Sequence, residues 1–154
     1  MTRPSFVIDA SVILAWHNPE EESSYADDIL GCLGEEIAIT PQLCCLEINN
    51  VMRIFEKRGS ISSMDAERAL ASINDLPIKR DSMPIGFEIP FVLSLARKYD
   101  LTIYDACYLE LAVRLNLPIA TLDKKLLEAA KQAGVPIKTA AFNNCYNFSN
   151  TNKR

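Results

Sequence analysis

Short apolar runs alternate along the chain with longer stretches in which apolar residues recur every three or four positions. Residues 5–9, 36–40, 78–80, 118–121 and 135–139 have strand length. Residues 11–17, 20–33, 41–58, 62–74, 84–99, 103–116 and 123–133 follow a helical period. The punctuation agrees with the period. Gly34, Gly59 and Gly134 stop the second, third and last helices, Pro41 opens the third, and Ser62 or Ser63 caps the fourth. Pro90 obscures the start of the fifth helix. Strands alternating with helices predict an α/β fold, with a central, mostly parallel sheet of four to five strands flanked by helices on both faces. In open sheets of this kind the functional crevice lies beyond the carboxyl ends of the strands.

Four acidic residues interrupt this pattern where stability would not place them. Asp9 ends the apolar run Phe6-Val7-Ile8, and Asp123 follows Ile119-Ala120-Thr121-Leu122. Both therefore belong at the carboxyl edge of the sheet. Glu47 lies in the third helix with Leu43, Cys44, Val51 and Ile54 within about 60° of it on the helical wheel. Asn50 is the other polar member of that stripe, and Cys45, Asn49, Met52, Arg53 and Glu56 fall on the opposite side. Asp105 shares a face with Tyr108, Leu109 and Ala112, while Glu110 and Arg114 point away. Asp105 and Asp123 also suit ordinary roles. Thr102-Ile103-Tyr104-Asp105 matches a capping box, and Asp123 an N-cap. An unpaired buried carboxylate costs several kcal/mol or shifts its pKa upward. A hard divalent cation, which prefers oxygen ligands, removes that cost. Four such acids brought together by folding read as a metal site.

Composition narrows the alternatives. A chain of 154 residues with 49% apolar and 23% charged residues suits one globular domain, here 1–142, followed by an Asn-rich tail over 143–154 that is expected to be flexible. Five cysteines, an odd number without a Cys-x-x-Cys pair, speak against a disulfide framework and for a reducing compartment. The single histidine, His17, cannot build a His-based zinc centre and is read as a surface loop residue. No apolar stretch approaches the ~20 residues of a membrane span and no signal peptide is visible, so a cytoplasmic protein with no membrane partner is expected. A net charge of −4 does not advertise nucleic-acid binding, yet a nuclease that gathers its carboxylates in one pocket is acidic overall. Local basic clusters such as Lys57-Arg58 and Lys124-Lys125 are candidates for phosphate contact.

Four segments carry a resemblance: Val7-Ile8-Asp9-Ala10-Ser11; Pro41 with Glu47, Asn50 and Val51; Leu101-Thr102-x-Tyr104-Asp105-Ala106-x-Tyr108-Leu109; and Ala120-Thr121-Leu122-Asp123 with Leu126. In order and spacing the chain resembles the PIN-domain ribonucleases, and among them the VapC-type toxins of toxin–antitoxin pairs. The resemblance implies a PIN-like fold and a metal-dependent endoribonuclease that leaves a 5′-phosphate and a 3′-hydroxyl. It implies Mg²⁺ or Mn²⁺ held by Asp9, Glu47 and Asp105, with Asp123 completing the catalytic pocket through water. Ser11, Asn50 and Thr121 correspond to positions that line or orient that pocket. Many relatives carry a further acid two residues after the fourth, where this chain has Lys125, which weakens the case for a second tightly held ion. The resemblance also implies an RNA substrate, a homodimer and a cognate antitoxin, for which apolar helix stripes including Ile61, Met64, Leu70 and Ile73 offer a groove. An aspartate-nucleophile phosphatase would want a second Asp where Ser11 stands. A non-catalytic binding module of the same fold would not need all four acids. A housekeeping RNA-processing nuclease is the nearest alternative.

Overall fold

The computed structural model describes residues 3–83 and 91–140. The chain order is β1 (Phe6–Ile8), α1 (Ala10–Ala15), α2 (Ser24–Cys32), β2 (Ala38–Thr40), α3 (Leu43–Arg58), α4 (Ser63–Asn74), β3 (Ile78–Arg80), α5 (Val92–Tyr99), α6 (Ile103–Leu115), β4 (Ile119–Ala120) and α7 (Lys124–Gln132). The helices stop and start where local chemistry directs. Ser23 and Ser62 accept the N–H of Ala26 and Asp65 at the starts of α2 and α4. Gly59, at φ 73°, closes α3 in the left-handed conformation that glycine tolerates. α2 begins four residues later than its period suggests, because Ser23 rather than the preceding glutamates supplies the cap. Residues 84–90, expected to start the fifth helix, and the tail from Asn143 lie outside the described residues.

The four strands form one parallel sheet in the order β3-β2-β1-β4. Val7 lies opposite Ile39 on one side and Ile119 on the other. The expected fifth strand at 135–139 shrinks to one parallel bridge between Ile119 and Ile137, held by Ile119 N–H to Pro136 O and Lys138 N–H to Ile119 O. From β1 the chain moves outward through β2 to β3, then crosses back to lay β4 on the other side of β1. The direction of winding therefore reverses at β1. At such a switch point the loops leaving the strand ends diverge and open a crevice.

Phe6, Val7, Ile8 and Ile119 are fully buried in the core, with Tyr108, Leu109 and Leu111 of α6 packed against them. α6 corrects one expectation. Residues 106–112 are all buried, so this helix has no solvent face over two turns. Glu110, expected to point away, is buried. Its Oε1 accepts Arg114 Nε at 2.8 Å, and Arg114 Nη2 also donates to Asp81 Oδ2 beyond β3. His17 differs too. It follows α1 in a turn and is half-buried, and burial lowers its pKa. Among the described residues no helix is long and apolar enough to cross a membrane, and Cys32, Cys44, Cys45 and Cys107 are free.

Removing Arg114 leaves Glu110 as an uncompensated buried charge. Arg114→Met is expected to cost about 2 kcal/mol or more in urea denaturation at neutral pH. Glu110→Gln in the same background is expected to recover most of that loss.

Candidate active site

Asp9 stands at the N-cap position of α1 with extended backbone angles, yet its side chain makes no cap bond. It is 4% exposed, and its Oδ2 accepts two hydroxyl protons, from Ser11 Oγ at 2.6 Å and Thr121 Oγ1 at 2.8 Å. Each hydroxyl is in turn held by a backbone N–H of the turn after β4. Leu122 N–H donates to Ser11 Oγ and Asp123 N–H to Thr121 Oγ1, both at 3.0 Å. A hydroxyl has one proton and two lone pairs. With the N–H groups occupying the acceptor side, both protons are directed at Asp9.

The other acids come from three different elements. Glu47 is half-buried in α3, and its Oε1 accepts Tyr108 Oη of α6 at 2.7 Å. Asp105 sits in the first turn of α6, where Thr102 caps its N–H at 3.1 Å and donates to its Oδ2 at 2.9 Å, the expected capping box. Asp123 caps α7 through Oδ1, which accepts Leu126 N–H at 2.8 Å. The face of α3 that enters the core is Cys44, Ile48 and Met52. Glu47 is therefore on the flank of the buried face and not at its centre, and Met52, expected on the outer side, is core. The wheel finds the apolar stripe but not which flank meets the sheet. Asn50 is exposed and bonds none of the acids.

Burial is the largest influence on the carboxyl groups and raises the pKa of Asp9, Glu47 and Asp105. The bonds from Ser11 and Thr121, from Tyr108 and from Thr102 oppose it. The acids also act on one another. Asp105 and Asp123 raise Asp9, Asp9 and Asp105 raise Glu47, and Asp123 raises Asp105, while Lys125 lowers it. Folding therefore brings all four within electrostatic reach. None of them is in an ion pair among the described residues. Among the described residues each gives one oxygen to protein donors and leaves its second oxygen without one. Among the described residues no three Asp, Glu, His or Cys side chains are gathered closely enough to ligate one ion together. Mg²⁺ does not require that, since it keeps several waters and takes one or two carboxylates directly. The donor set thus suits a hard, partly hydrated cation.

The basic candidates separate. Lys125 is exposed in the first turn of α7, 3.5 Å from Asp100, and its charge reaches Asp105. Lys124 is its exposed neighbour. Lys57 and Arg58 end α3, about 15 Å along the helix from Glu47. Tyr108 was not among the residues singled out for the site. Its place three residues after Asp105, on the same helical face, is the signal that could have found it.

The PIN-domain profile matches residues 6–132. The chain belongs to the PIN-domain family. Ribonuclease VapC3 of Pyrobaculum aerophilum is 31% identical over 124 residues, which span 79% of this chain and 92% of that protein. The crystal structure of PAE2754 from the same organism superposes with a TM-score of 0.64 at 23% identity, covering 82% of this chain and 84% of that one. Mycobacterium tuberculosis VapC20, described as a sarcin-ricin loop cleaving toxin, superposes with a TM-score of 0.56 at 10% identity over 88% and 99% of the two chains. At these identities the two structures speak for the PIN fold. All four acids, Ser11, Thr121 and Tyr108 fall within the matched PIN segment, whereas the Ile137 bridge lies beyond it.

A raised folded-state pKa means that the native protein holds protons the unfolded chain has lost. Native stability is then lost as pH rises from the unfolded value through the raised one. For Asp9 that window opens near its ordinary value of 3.8 and extends upward. Without divalent metal, Asp9→Asn is expected to melt higher than the parent at pH 7 to 8. The gap should shrink toward zero as pH falls below about 3, since Asp9 is then protonated in both states. A variant that melts lower at every pH would contradict the charge argument.

Proposed function

We propose that the protein is a metal-dependent endoribonuclease and the toxin of a type II toxin–antitoxin pair. The observation that carries this reading is the group of four carboxylates at the sheet's switch point, each with one oxygen free of protein donors and none in an ion pair with Lys or Arg among the described residues. RNA as substrate is supported by the likeness to Ribonuclease VapC3. In this reading Asp9, Glu47 and Asp105 would hold Mg²⁺ or Mn²⁺, directly or through the waters the ion keeps, with Asp123 joining through water. Such an ion supplies Lewis-acid polarisation of a phosphoryl oxygen and eases ionisation of water.

The chain's own groups do the rest. Ser11 and Thr121 fix the rotamer of Asp9 so that its free oxygen keeps one direction. Asp105 or Asp123 orients the attacking water and takes its proton, a role that the upward shift of Asp105 suits. The water oxygen bonds to phosphorus, the bond to the 3′ oxygen breaks, and that oxygen takes a proton from solvent. Lys124 and Lys125, exposed beside Asp123, are placed to meet RNA phosphates. A cytoplasmic RNA target is consistent with this chemistry.

The same reading expects two protein partners. Leu46 and Tyr104, 75% and 62% exposed, line one groove with Leu43, Ile103 and Cys107, and we assign it to a second copy of the chain. A separate cleft of about 470 Å³ between α3, α4 and β3 is lined by Ile48, Leu70, Ile73 and Ile78 with Asn49 and Arg80. It suits an amphipathic helix of an antitoxin.

Two outcomes test the reading. Asp9→Asn, Glu47→Gln and Asp105→Asn should each lower metal-stimulated RNA cleavage by more than the roughly 10–100-fold typical of losing an outer partner. Mn²⁺ at about 100 times its Kd should raise the melting temperature of the parent by about 5 °C or more. Replacing all four carboxylates should remove that rise, and an active Asp9→Asn enzyme would sink the site. For the toxin role, expression alone should arrest growth, and a small co-purifying protein should cure it. A monomer that is harmless on expression points to a housekeeping nuclease.

A further inference from the structure

Tyr108 is fully buried and is the largest such side chain in the core. Packing alone would be served by phenylalanine, since a buried hydroxyl must find a partner to offset its desolvation. Its partner is unusual. Tyr108 Oη donates at 2.7 Å to a carboxylate on another helix, Glu47 Oε1, across 61 positions of sequence. The phenol has one proton, directed at Glu47, and a carboxylate, which only accepts, is the acceptor it asks for.

The other acids lie at or near the starts of helices and are held there by short hydroxyl side chains or a backbone amide. Glu47 alone is a long side chain on a helix flank, with rotamers that would carry it away from the centre. We propose that Tyr108 is the positioning residue for Glu47. It holds Oε1 so that Oε2 faces the acidic centre, and it locks α3 to α6 at the level where each contributes an acid. The inference rests on the metal-site reading above and deepens it.

Tyr108→Phe removes the hydroxyl and keeps the ring. The test is Mn²⁺ binding by calorimetry on the full chain, with melting temperature in the absence of metal measured alongside. The hydroxyl's loss should weaken Mn²⁺ by about 10- to 100-fold, the range for outer partners of metal ligands. The metal-free melting temperature should stay within a few degrees of the parent. Saturating Mn²⁺ should restore most of the cleavage rate, giving a change in metal dependence larger than the change in kcat. Cys44→Ala, which keeps the Tyr108–Glu47 bond, should bind Mn²⁺ within about threefold of the parent. If the parent and Tyr108→Phe bind Mn²⁺ equally while Glu47→Gln does not, the positioning role is overturned and the metal site stands. If Tyr108→Phe binds weakly only because it is largely unfolded without metal, the role is structural and the inference is likewise overturned. If the parent binds neither Mn²⁺ nor Mg²⁺, both readings fall.

Discussion

Burying the negative charge of Asp9 at the end of the central strand is the constraint from which the rest of the site follows. A carboxylate in this position, 4% exposed and without a cationic partner among the described residues, persists only if dipoles replace lost water. Ser11 and Thr121 provide them, and each takes its orientation from an N–H in the β4–α7 turn. One carboxyl oxygen thereby fastens the start of α1 to the turn after β4. That turn carries Asp123, and the same backbone that aims the hydroxyls also sets the cap of α7. The electrostatic requirement of one acid thus places another.

The distribution of cations makes the same point from the opposite side. Arg114 reaches both Asp81 and Glu110, and Lys138 holds Glu36. These pairs tie β3 to α6, and the bridge beside β4 to the loop before β2. The chain thus supplies positive charge to acids that hold the fold together. Among the described residues the four at the crevice have no ion pair and are held by hydrogen bonds, with Lys125 acting on Asp105 from a distance. Protein evolution has no difficulty placing an arginine beside a carboxylate, as Glu110 demonstrates. A group of acids left unpaired in reach of one another is a feature to be explained by what they bind.

Much of this was legible in the chain, for identifiable reasons. Asp9 and Asp123 could be placed because a short apolar run has a direction, and the residue after it must stand at the carboxyl edge. Thr102 and Asp105 were legible as a capping box because that motif is local. Long-range geometry was less so. The wheel for α3 gathered Leu43, Cys44, Val51 and Ile54 around Glu47; Cys44 is core, but the core face continues through Ile48 and Met52, because the register of the helix on the sheet is a tertiary choice. The burial of Glu110, on the side away from Asp105, was not legible for a related reason. An amphipathic reading assumes a solvent face, and α6 between the sheet and α5 has none over residues 106–112. The Tyr108–Glu47 bond depends on both registers at once, so neither helix could announce it.

The architecture also explains how so many like charges are tolerated. Glu47, Asp9 and Asp123 follow β2, β1 and β4, which are neighbours in the sheet, and Asp105 enters from α6. Each acid is anchored to a separate rigid element, so repulsion cannot be relieved by moving one loop. Relief must come from protonation or from a cation. Burial and mutual repulsion raise three of the four, which shifts part of the charge onto protons when no cation is present. For the proposed metal, binding then means exchange, with protons leaving as the ion arrives. The half-buried positions of Glu47 and Asp105 keep that exchange open to solvent, whereas the deeply buried Asp9 has its rotamer fixed in advance. A site built this way holds its geometry in the protein and leaves only its charge to be completed.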